Sequence, residues 1–137
     1  MDSWFFNQAK DATDCGWRCL YWILTHKKKS NVGYVTFVNW FLALAPLTTG
    51  MFVVDMLRLL TYWGIDYQLS FPTKSGTYLI FYPLDATVGH TVVYHNGKLF
   101  DPLESKPLKM SIETLQKRIE TKFHPVYSSI LMTIKLL

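Results

Sequence analysis

Hydrophobic and polar positions change rhythm after Gly64. Before it, apolar residues recur at three- and four-residue spacing. Leu20, Ile23 and Leu24 give one apolar face to a segment from about Cys15 to Thr25, which predicts a helix. Thr13 or Asp14 can cap it, and Lys27, Lys28 and Lys29 stand at its end, where cations suit the helix dipole. Val35 to Leu44 predicts a second helix. Thr48 or Thr49 can cap a third, "GMFVVDMLRLLTYWG", in which Phe52, Met56, Leu59, Leu60 and Trp63 share a face. Gly64 is its expected stop.

Beyond Gly64 the pattern shortens to blocks and alternations. "DYQLSF" reads as a strand ending at Pro72, and "TYLIFYPL" has the aromatic and β-branched bias of another. "HTVVYHNGKLFDP" reads as a hairpin turning at Asn96-Gly97. Ser111 can cap a helix over "IETLQKRIET". "SSILMTIKLL" places Ile130, Met132, Ile134 and Leu136 on one side of a last strand. Helices first and an antiparallel sheet second predict an α+β fold. A chain of 137 residues suits a single domain, residues 1–137.

Composition narrows the function classes. Half of the residues are hydrophobic, which argues against disorder. The formal net charge of +4 is mildly basic, and the only dense basic run is "HKKKS" at His26 to Ser30. A nucleic-acid partner is therefore not expected. "MDSWFFNQ" has neither the basic nor the apolar region of a secretory signal. The most apolar stretch, Val35 to Pro46, is too short to span a bilayer and is interrupted by Asn39. With only two cysteines, the expectation is a cytoplasmic protein in a reducing compartment.

Both cysteines fall in "DATDCGWRCLYWIL". A two-residue turn at Asn96-Gly97 pairs His95 with Lys98, Tyr94 with Leu99, Val92 with Asp101 and His90 with Leu103. His90 and Asp101 then share one face as diagonal neighbours, with Cβ atoms up to roughly 7–8 Å apart. A histidine held by a carboxylate lacks only a nucleophile. With Asp14 as N-cap, Cys15 sits in the first helical turn, where the dipole and the N–H groups favour a thiolate. Its backbone N–H, with the side chain of Gln8, can stabilise an oxyanion.

Plainer alternatives stand beside this one. Cys15 and Cys19 can be small core residues, and Cys19 suits that role better. A disulfide between successive turns would constrain nothing, and no second Cys/His pair stands at zinc spacing. His26, His95 and His124 are weaker bases than His90 by position, and Asp85 is a weaker orienter than Asp101. Trp4, Phe5 and Phe6 read as packing residues.

In order along the chain, Gln8, "DCG" at Asp14–Gly16, "YWG" at Tyr62–Gly64, "GHTVV" at Gly89–Val93 and "DP" at Asp101–Pro102 resemble the papain-like cysteine peptidases. The nearest likeness is to the bacteriocin-processing peptidases that cleave double-glycine leaders. That resemblance implies a papain-like fold, with helices packed on a small antiparallel sheet. It implies Cys15 as nucleophile, His90 as base, Asp101 as orienter and Gln8 as oxyanion donor. The substrate would be a protein or peptide, and neither cofactor nor metal is expected. "DCGWRCLYW" also resembles the nucleophile segment of proteases for ubiquitin-like modifiers, which would move the nucleophile to Cys19. Deamidation, transglutaminase-like acyl transfer and an inactive binding module on the same fold remain alternatives.

Overall fold

Gly64 marks the change of texture in three dimensions as well. In the computed structural model, which describes residues 5–6, 14–41, 53–83, 89–122 and 132–137, it takes the left-handed conformation, φ 71°. The preceding helix ends there: the Gly64 N–H donates to the Thr61 carbonyl and the Ile65 N–H to that of Leu60. This pair of bonds satisfies carbonyls that the helix leaves without partners. The chain divides into two compact units, Met1–Asp66 with Pro102–Ser105, and Tyr67–Asp101 with Lys106–Leu137.

The first unit is helical. α1 spans Cys15–Lys27, α2 Tyr34–Phe41 and α3 Val53–Tyr62. α1 buries Leu20, Ile23 and Leu24 as their spacing predicts, together with Trp17, Cys19, Tyr21 and Trp22. Phe37 of α2 gathers Trp17, Tyr21 and Trp63 around its ring at centroid distances of 5.3–5.8 Å. Aromatic faces and edges in such contact contribute beyond their buried area. In α3, Met56, Leu59 and Leu60 are buried at helical spacing. Phe5 and Phe6 are buried against one another, as packing residues should be. The expected caps Thr13, Thr48 and Thr49, together with Trp4, Phe52 and residues 42–44, lie outside the described residues.

Among the described residues, the second unit is a six-stranded antiparallel sheet with one helix. β1 is Tyr67–Leu69, β2 Thr77–Pro83, β3 Gly89–His95, β4 Lys98–Phe100, β5 Leu108–Lys109 and β6 Met132–Leu136; α4 is Ile112–Lys122. The order is β1-β6-β2-β3-β4-β5. A strand is found in each predicted stretch, though β1 is shorter than "DYQLSF", and Leu84 and residues 128–131 lie outside the described residues. β5 was not predicted: two residues behind Pro107 show no alternation to read. Ser111 caps α4 as expected, its hydroxyl accepting from the Thr114 N–H at 3.2 Å. Tyr78, Ile80, Val92, Tyr94 and Leu99 share one face of the sheet and pack with Leu115 and Ile119 of α4. The fold is α+β.

Candidate active site

The β3–β4 hairpin turns through Asn96 and Gly97 at φ 48° and 80°, the signature of a type I′ turn. His95 pairs with Lys98, Tyr94 with Leu99 and Val93 with Phe100, the predicted register. The ladder stops there. The expected pairings Val92 with Asp101 and His90 with Leu103 do not form, because Pro102 has no N–H to donate and the chain turns away. The alternation of faces survives one residue further. Asp101 follows Leu99 by two residues and His90 precedes Val92 by two, so both side chains fall on the face covered by α4.

There the ring and the carboxylate meet. His90 Nε2 lies 2.7 Å from Asp101 Oδ1, with both residues buried. The second oxygen is also taken: Arg118 Nη2, on α4, donates to Asp101 Oδ2 at 3.1 Å. Toward an ionised carboxylate, which only accepts, His90 Nε2 is the donor in this bond, and Nδ1 is the ring nitrogen outside the pair. Sequence reasoning missed Arg118. Its signal was its position, three residues after Leu115 and one before Ile119, on the sheet-facing side of α4.

Gly89, just before His90, has its own steric reason. A Cβ there would stand 2.5 Å from the Phe81 ring, which crosses the glycine from β2. Phe81 pairs with Thr91, so Gly89 is its diagonal neighbour on the same face.

In the helical unit, Cys15 is the first residue of α1 and partly exposed, while Cys19, one turn on, is fully buried. Neither forms a disulfide. Asp14 occupies the N-cap position, but its side chain makes no capping bond, contrary to expectation. Two stronger partners take the carboxylate instead. Arg18 Nε donates to Asp14 Oδ2 at 2.9 Å and the Tyr34 hydroxyl donates to the same oxygen at 3.0 Å. Burial first, and then the Asp14 charge, push the Tyr34 hydroxyl well above its ordinary pKa, so it stays protonated and donating. Arg18 Nη1 also donates to the carbonyls of Phe5 and Phe6, at 3.2 and 3.3 Å. The first turn of α1 contains no acidic residue.

No protein-family model matches this chain, and comparison with curated proteins finds no match.

Of the other residues weighed from sequence, Gln8, Asp85 and His124 lie outside the described residues. His26 stacks on Trp22 at 3.8 Å and its Nδ1 bonds the Trp22 carbonyl. His95 bonds the Thr77 hydroxyl at 2.7 Å. Among the described residues, no three His, Cys, Asp or Glu side chains form a metal-binding group. No helix there is long and apolar enough to cross a membrane.

Proposed function

We propose that this chain is a papain-like cysteine peptidase, with Cys15 as nucleophile, His90 as general base and acid, and Asp101 as the group that orients the imidazole. The observation that carries the reading is the buried 2.7 Å bond from His90 to Asp101, on a hairpin that follows a helix-starting cysteine. His90 Nδ1 takes the Cys15 proton, and the sulfur attacks a peptide carbonyl carbon. The C=O pair moves onto oxygen, where the Cys15 N–H and the Gln8 side chain hold the oxyanion. The intermediate collapses, the C–N bond breaks, and His90 returns the proton to the leaving amine. Water, deprotonated by His90, then hydrolyses the thioester and frees the thiol. Asp101 keeps the ring in its Nε2–H tautomer and stabilises the imidazolium. The substrate is a protein or peptide, and two cysteines outside any disulfide suit the reducing cytoplasm.

A peptide carrying an electrophilic warhead, followed by mapping of the labelled residue, tests this directly. Labelling is expected at Cys15 and should be lost in His90→Ala. With a cleavable peptide, Cys15→Ala should lose roughly a thousandfold or more in rate while staying folded. Labelling at Cys19 would transfer the nucleophile there. A product of unchanged chain length would make the reaction deamidation or acyl transfer.

A further inference from the structure

Asp101 is fully buried, and a carboxylate taken from water at that cost needs partners. A neutral imidazole gives it one hydrogen bond and no full charge. Arg118 supplies the charge, meeting Oδ2 at 3.1 Å while His90 holds Oδ1 at 2.7 Å. Arg118 is not a loose surface partner. Its side chain is 18% exposed, and its place on α4 is fixed by the packing of Leu115 and Ile119 on the sheet. Asp101 faces the imidazole from the end of β4, and Arg118 faces Asp101 from α4.

We propose that Arg118 is a positioning residue for the His90–Asp101 pair. By taking Oδ2 it holds the carboxylate with Oδ1 turned to His90 Nε2, and it offsets part of the negative charge that the imidazole feels. The catalytic meaning of this role rests on the peptidase reading; the charge relation concerns the pair alone. An opposite charge within about 4–6 Å moves a pKa by roughly 1–3 units. Asp101 by itself therefore favours the imidazolium, which cannot accept a thiol proton. The Arg118 charge works against that bias, so the ring can both take up and return a proton near neutral pH. Removing a positive charge must make the pair easier to protonate.

The test is an NMR titration of the His90 imidazole in the full chain, assigned by comparison with His90→Ala. Arg118→Gln keeps a donor and removes the charge. The His90 midpoint should rise by about half a unit to one unit, since the Arg118 charge acts from beyond the carboxylate. Arg118→Lys, which keeps the charge, should return it close to the wild-type position. A merely structural arginine would lower thermal stability in both variants and leave the midpoint unmoved; that result in folded Arg118→Gln overturns the proposal. If Arg118→Gln does not fold, the folded Arg118→Lys protein is carbamylated beside carbamylated wild type. A higher midpoint in the variant then supports the role, and equal midpoints overturn it. Neither readout uses Cys15, so its outcome and that of warhead labelling are independent.

Discussion

A thiol at the first residue of α1 and a thiol one turn further in meet different surroundings. Cys19 is fully buried, away from solvent and reagent. Cys15 is reachable and lies at the positive end of the helix. Iodoacetamide at about pH 6 should therefore modify Cys15 much faster than Cys19, read by peptide mapping. The adjacent Asp14 charge opposes a Cys15 thiolate, and the 2.9 Å bond from Arg18 offsets it. Arg18→Gln should slow Cys15 alkylation several-fold at that pH, and an unchanged rate would contradict the offset. The competition for Asp14 also explains why its capping role was misread. Its partner Tyr34 lies twenty residues away in sequence, and nothing local announces it. The place of Cys15 at a helix start and the meeting of His90 with Asp101, by contrast, were legible, because each follows from a short pattern: a helix start, or positions counted from a turn.

At the scale of elements, the hairpin is legible for a firm reason. Asn96 and Gly97 both need positive φ, which only a few residues tolerate, so loop length and register follow together. The place of Arg118 beside Leu115 and Ile119 did not name its partner, because a helix pattern shows which side is apolar, not which face of which sheet it will cover. The position before His90 carries a second constraint. Gly89→Ala would drive a Cβ into the Phe81 ring, and overpacking of this kind costs about 1–3 kcal/mol. Denaturant unfolding should show that loss, and Phe81→Leu should restore part of it by removing the ring. Equal stability of wild type and Gly89→Ala would mean the ring moves aside freely and the glycine has no steric role.

For the molecule as a whole, the alkaline limit of stability should report on the Asp14–Tyr34 contact. The Tyr34 pKa is raised above its ordinary 10.0 in the folded chain, by burial and then by Asp14. The unfolded chain releases that proton near its ordinary value while the folded chain holds it. The contribution is thus complete below about pH 10 and is lost as pH rises beyond it. Tyr34→Phe should cost about 1–2 kcal/mol at neutral pH. It should also flatten the alkaline fall in Tm, even though Tyr94, likewise raised by burial, still titrates. An equally steep fall in the variant would contradict this.

The proposed reaction needs the Cys15 thiol and the His90 imidazole to act on one carbonyl. A dihaloacetone, which alkylates a thiol and then a ring nitrogen within its short reach, tests that most directly. After treatment of the folded chain and proteolysis, mass spectrometry should find Cys15 joined to His90. The link should disappear after prior alkylation of Cys15. Cys15 modified singly, or a link from Cys19 to any histidine, would contradict the account.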